Sequence, residues 1–146
     1  MVLLVGMRIL GLDMGEKRIG VAISDGLGIT AQCLDVITRK GLEEDTKELN
    51  NIIDTYKVVE IIVGLPINMN GTRGDAANKV IEFVNSLKDY IKIPVKMWDE
   101  RLTTSQGEKI LIGADVSRKK RKKIIDKLAA QILLQSYMDY KKGLRL

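Results

Sequence analysis

The chain opens on alternating apolar and polar positions. Residues Arg8 to Met14, RILGLDM, and Arg18 to Asp25, RIGVAISD, interleave Ile, Leu and Val with small or polar residues, the pattern of half-buried strands. Gly15-Glu16-Lys17 forms a turn between them, Gly26-Leu27-Gly28 ends the second, and Thr30 to Thr38 resumes a strand pattern, which predicts an antiparallel meander. From Leu42 to Tyr56 the period changes, with Leu49, Ile52, Ile53 and Tyr56 at helical spacing. Val58 to Val63 reads as a short buried strand stopped by Leu65-Pro66. A second helix, Asp75 to Tyr90, presents Ala76, Val80, Phe83, Val84 and Leu87 on one face, and Ile93 to Trp98 is a further strand. Thr103 or Thr104 caps a helix running through Ile112, and Ser117 caps the last one. The order βββ, αβαβ, then helices predicts one mixed α/β domain over residues 1–146.

Asp13 does not fit the apolar run around it. A buried unpaired charge costs several kcal/mol, so a carboxylate there calls for a partner, a metal or a shifted protonation state. In open α/β sheets functional groups gather at the carboxyl ends of strands. Asp13 lies near the end of the first strand, and Glu100, in WDERLTT, lies just past the end of the last. Asp126, in KKIIDKLAAQILLQSY, falls on the flank of a helical stripe of Ile125, Ala129, Ile132, Leu133 and Ser136. The small Ala129 and Ala130 beside it let that helix approach the sheet closely. Taken singly, each acid has an ordinary structural reading: Asp13 paired with Lys17 or Arg18, Glu100 with Arg101, and Asp126 as a first-turn acid favoured by the helix dipole. Taken together, three carboxylates without histidine repel one another unless hard cations lie between them, and oxygen-only ligation suits Mg²⁺ or Mn²⁺. Two such ions about 3.5–4 Å apart support phosphodiester cleavage.

Composition removes other chemistries. The chain has no histidine, which excludes Ser-His-Asp and Cys-His triads and imidazole-bound zinc. Its one cysteine, Cys33, forms no internal disulfide and is expected as a buried structural residue of a cytoplasmic protein. The initial MVLLVG lacks a basic n-region and reads as a lead-in to the first strand, with Met7 an alternative start, and no run is long enough to span a membrane.

The net charge of +5 is unevenly placed. Residues 1–100 carry 12 Lys and Arg against 15 Asp and Glu, whereas residues 101–146 carry 12 against 4. Arg118, Lys119, Lys120, Arg121, Lys122 and Lys123 are consecutive, and like charges so packed point to a polyanionic partner, structured RNA or branched DNA, more than to a solvated face.

Four stretches in order, GLDMGEKRIGVAISD, VGLPINMNGT, DERLTT and the basic run leading into DKLAAQILLQSYMD, closely resemble the YqgF/RuvX family, described as candidate Holliday junction resolvases and pre-16S ribosomal RNA nucleases. The resemblance covers Met7 to Asp139. It implies a ribonuclease H-like α/β fold, a mixed five-stranded sheet flanked by helices, and a metal-dependent site of Asp13, Glu100 and Asp126. Lys17, Arg18, Arg73, Arg101, Thr103 and Thr104 are then candidate contacts for substrate phosphate, together with the Arg118 to Lys123 block. With few aromatic residues, recognition is expected to run through the nucleic-acid backbone more than through base stacking.

Two other readings stay open. LGLDMGEKRIGVAISD also resembles the first phosphate motif of actin-like and sugar-kinase ATPases, although one such domain without a second aspartate-glycine loop does not make their cleft. A non-catalytic RNA-binding module of the same fold is the other. The sequence leaves monomer or homodimer undecided, and likewise RNA or DNA.

Overall fold

The structure is a computed structural model that describes residues 7–101 and 117–144, with 118–127 and 144 described by the backbone only. The strands are β1 (Arg8–Met14), β2 (Arg18–Ser24), β3 (Ala31–Thr38), β4 (Val58–Leu65) and β5 (Val95–Asp99). The helices are α1 (Leu42–Tyr56), α2 (Asp75–Leu87) and α3 (Arg118–Leu144). The sheet runs β3-β2-β1-β4-β5, with β1, β2 and β3 antiparallel in sequence and β4 and β5 parallel to β1. Strand β1 is therefore central, and the carboxyl ends of β1, β4 and β5 share one edge of the molecule.

Successive strand residues point to opposite faces, so the register sorts the sheet into two unlike surfaces. On one face Leu10, Leu12, Ile19, Val21, Ile61, Val63 and Val95 meet Leu49 and Ile53 of α1 and Val80, Phe83, Val84 and Leu87 of α2 in the main core. The other face is built of small residues. Gly11, Gly20, Ala22 and Ala31 lie there beneath Ala130, Leu134 and Met138 of α3. Two glutamines fasten α3 to the edge of β3: the Ala31 N–H donates to Gln135 Oε1 at 2.8 Å, and Gln131 Nε2 donates to the Ala31 carbonyl at 3.0 Å.

Several expectations are corrected by this packing. In α2 the buried small residue is Ala77, not Ala76, because a helix starting at Asp75 aligns 77, 80, 84 and 87 toward the sheet. The helix also ends at Leu87 rather than Tyr90. Cys33 is exposed, since β3 is the sheet edge, and its Sγ lies 3.2 Å from Gln131 Oε1. The buried stripe of α3 is Ala130, Leu133, Leu134, Tyr137 and Met138, whereas Ala129, Ile132 and Ser136 are half-buried. It is thus centred one position later than the sequence pattern suggested, because it is Ala130 that fits the bare backbone of β1 and β2. The lead-in MVLLVG and the helix expected from Thr103 or Thr104 to Ile112 lie outside the described residues. Ser117 immediately precedes α3, at the position from which it was expected to cap.

Gly11 fixes how closely α3 sits. A Cβ there would stand 2.9 Å from Leu134 Cβ and 3.2 Å from the Ala130 carbonyl oxygen, and the second contact is backbone that cannot step aside alone. Gly11→Ala should therefore lower stability by about 1–3 kcal/mol, the usual cost of overpacking. The expected reading is a reduced urea midpoint with an unchanged m-value; an unaltered midpoint would mean that α3 does not press on β1.

Candidate active site

Asp13 occupies the small-residue face of β1, paired with Gly20 of β2, and is half-buried rather than set in the main core. That placement explains how an apolar strand carries it. Among the described residues neither Lys17 nor Arg18 forms an ion pair with it, and both side chains are exposed. Its partner is another acid. The Glu100 carboxyl group is hydrogen-bonded to Asp13, and it is pushed from its ordinary 4.5 up to about 8 by burial first, then by that bond and the Asp13 charge, and lastly by the charge of Asp99. Glu100 as a whole residue is half-buried; the enclosed part is its carboxyl end.

Gly64 of β4 makes the enclosure. A Cβ at Gly64 would fall on the Glu100 carboxyl group, 2.9 Å from its Cγ. Sequence reasoning passed over this glycine because only the register of β4 on β5, with Gly64 opposite Trp98, brings it under Glu100.

Glu100 directly follows β5, just past its carboxyl end as expected, and is helical together with Arg101. Asp99 serves this first turn: the Arg101 N–H donates to Asp99 Oδ1 at 2.9 Å. The Arg101 guanidinium also grips Asp99, with Nη2 2.6 Å from Oδ2 and Nε 3.0 Å from the same oxygen. Arg101 therefore pairs with Asp99 and not with Glu100. Its hydrogen bond holds Asp99 below the usual carboxylate range against the opposing effect of burial.

The third acid is placed by its helix. Leu134 of α3 lies over Gly11, and Ala130 lies 3.5 Å from the position of a Cβ on Gly20, itself next to Asp13. Asp126 is one turn nearer the helix start, about 6 Å further along the axis toward the carboxyl end of β1. Its side chain, like those of Arg118 to Lys123, lies outside what is described, as do Thr103 and Thr104. Among the described residues no group of three or more His, Cys, Asp or Glu forms a metal-binding cluster. Arg73 is exposed and pairs through its backbone with Ile67, in the loop after β4.

The arrangement so far is an acid pair on a bare stretch of sheet, at the edge where three parallel strands end. Its sequence affiliation is direct: a family model described as "RuvX: Holliday junction resolvase" matches residues 7–140. The chain belongs to the RuvX family. It is 57% identical over 133 residues to a Clostridium kluyveri protein named "Putative pre-16S rRNA nuclease", covering 91% of this chain and 97% of that one. A Halothermothrix orenii protein of the same name is 56% identical over 138 residues, covering 94% and 99%. Membership of the RuvX family and these relatives make the chain a nuclease, a hydrolase of ester bonds. Among solved structures it is similar to Thermus thermophilus RuvC in complex with Holliday junction substrate, with a TM-score of 0.56 at 13% identity over 94% of this chain and 96% of that one. That likeness is one of fold, and the fold is ribonuclease H-like.

Two predictions follow from the acid pair. The folded protein keeps the Glu100 proton up to about pH 8, whereas the unfolded chain releases it near 4.5, so between those values the folded state binds more protons and loses stability as pH rises. With EDTA present, thermal melts should fall across this window for the wild type and stay flat for Glu100→Gln at this position; parallel curves would show that Glu100 ionises freely. Gly64→Ala should displace only the far end of one side chain, so cleavage should drop at least about tenfold while the melting temperature stays nearly constant. Full activity in that variant would detach Glu100 from the reaction.

Proposed function

We propose that the protein is a metal-dependent endonuclease of structured nucleic acid that acts in 5′ maturation of pre-16S ribosomal RNA. The observation that carries this reading is the Asp13–Glu100 pair: the Glu100 carboxyl group, seated over Gly64, is hydrogen-bonded to Asp13 and pushed up to about 8. A hard divalent cation suits the place of the Glu100 proton, because it neutralises both oxygens at once and needs no nitrogen or sulfur ligand. Asp13 and Glu100, with Asp126 of α3, are the residues that would hold Mg²⁺ or Mn²⁺. Bound there, such an ion supplies charge neutralisation for the attacking and leaving oxygens of a phosphodiester.

The remaining roles belong to the chain itself. Lys17 and Arg18, exposed in and after the turn that follows Asp13, bind the phosphate next to the scissile one. Arg101 is a positioning residue: its bidentate grip on Asp99 fixes the segment from which Glu100 reaches Asp13. Arg73, Thr103 and Thr104 are further phosphate contacts in this reading, and the Arg118 to Lys123 block at the start of α3 takes more distant backbone phosphates. Under this reading the whole chain is one nuclease domain. The names of the relatives favour an RNA precursor, while the description of the family favours a four-way DNA junction as the second reading.

The deciding experiment offers a pre-16S RNA fragment and a four-way DNA junction to the wild type and to Asp13→Asn with Mg²⁺ or Mn²⁺. The RNA should be cut and the junction spared; the reverse outcome would move the assignment to junction resolution. Asp13→Asn should lose about a hundredfold or more in cleavage, keep its affinity for RNA, and melt higher than the wild type without metal. Added Mg²⁺ should raise the wild-type melting temperature more, since a ligand stabilises only the state it binds. A variant that cuts normally, or melts lower than the wild type in EDTA, returns Asp13 to a structural role.

A further inference from the structure

Beyond the acid pair, the same face of the sheet carries an aromatic cluster. Three of the six aromatic residues gather there. The Trp98 ring meets Tyr137 edge-on at 5.4 Å between centroids and Tyr140 at 5.0 Å with a 56° tilt. Beneath them lies Glu60 of β4, almost fully buried, which accepts the Tyr137 hydroxyl at 2.9 Å and faces Lys96 Nζ at 2.8 Å and Lys141 Nζ at 3.8 Å. Burial alone would push the Glu60 carboxyl up, but the hydrogen bonds from Lys96 and Tyr137 and the charge of Lys141 outweigh it and hold it below the usual range. The anchor thus stays ionised, locks Tyr137 by its hydroxyl, and leaves the cluster with one positive charge in excess.

The outer surface of this cluster is open. Tyr140 is 52% exposed and Trp98 half-buried, while the indole Nε1 is enclosed and, among the described residues, has no hydrogen-bond partner. The rings therefore offer faces and no outward donor from Trp98. Location adds the remaining constraint. Trp98 is the register partner of Gly64, the residue on which the Glu100 carboxyl group rests, and the cluster extends from it toward Glu60, four residues or roughly 13 Å back along β4.

We infer that the Trp98–Tyr140 shelf is a substrate subsite that stacks an unpaired nucleobase on the same face of the sheet as the acid pair, at a distance from it. The inference rests on the nuclease reading and specifies what the site takes: a strand with at least one unstacked base on the shelf side of the cut. Ring faces with a cationic rim match a nucleotide, whose base is planar and whose phosphate is anionic, and stacking of this kind tolerates any base. A second copy of the chain would bring Lys96, Lys141 and Lys142 against themselves and be repelled. The small number of aromatic residues argued against a general stacking surface; their concentration at one place allows a local one.

The only tryptophan of the chain reports on this directly. Full-length Asp13→Asn protein, which binds without cutting, is titrated with a single-stranded oligoribonucleotide and with a blunt duplex of equal length while Trp98 fluorescence is followed. The single strand should quench emission and the duplex should do so much less. Adding Tyr140→Ala should weaken single-strand binding about tenfold without changing duplex affinity, and Tyr140→Phe should restore it, with circular dichroism verifying the fold. Equal affinities for the Ala and Phe variants, or equal quenching by both oligonucleotides, would overturn the subsite. Emission that varies with protein concentration alone would instead assign the shelf to a second copy. Wild-type cleavage of the same single strand, and of the RNA precursor, runs alongside. Cleavage without quenching removes the shelf and leaves the nuclease standing, whereas neither binding nor cleavage removes both.

Discussion

The structure turns on the contact between two carboxyl groups. Asp13, on β1, and Glu100, directly after β5, are separated by β4, and they can meet only because Gly64 on that intervening strand has no side chain. Burial, and then the hydrogen bond to Asp13 and its charge, push the Glu100 carboxyl well above the normal carboxylate range. Such a pair is poor as structure, since it adds no stability that an apolar contact would not exceed. It suits a site whose charge is completed by something bound.

The rest of the sheet makes room for this pair by dividing its labour. Large aliphatic side chains crowd the face toward α1 and α2 and supply most of the buried apolar area, roughly 25 cal/mol per Å². Where β1 and β2 meet α3 the opposite face carries little volume: Gly11, Gly20 and Ala22 let α3 lie almost on the backbone and bring Asp126 toward the end of β1, while Gly64 leaves room for Glu100. Bulkier residues on that face would stabilise a sheet and lift the helix away from its acids. The glycines that look like weaknesses in the strands are thus the condition for the site.

How much of this was legible depended on range. Strand β1 and helix α1 could be bounded from the sequence because alternation and helical period are local properties, strong over Arg8–Met14 and Leu42–Tyr56. The candidate acids Asp13 and Glu100 stood out for the same reason, as charges at predicted strand ends. Gly64 did not, because its role exists only across the register with Trp98, and the same holds for Gly11 under Leu134. Cys33 looked like a core residue until β3 proved to be the sheet edge. Glu60 was hidden inside VVEIIV, where its partners Lys96, Tyr137 and Lys141 are distant in sequence. Asp99 was read as part of a motif, although its carboxylate serves the first turn that carries Glu100.

The central claim is that a divalent cation takes the place of the proton held between Asp13 and Glu100. Metal ligands must be deprotonated, so binding releases whatever proton the site holds. Isothermal titration of Mg²⁺ into the protein near pH 7, repeated in buffers of different ionisation enthalpy, counts that proton. The account predicts release approaching one proton per binding event for the wild type, shrinking as pH rises past about 8. Mg²⁺ binding with no proton released at neutral pH would contradict it.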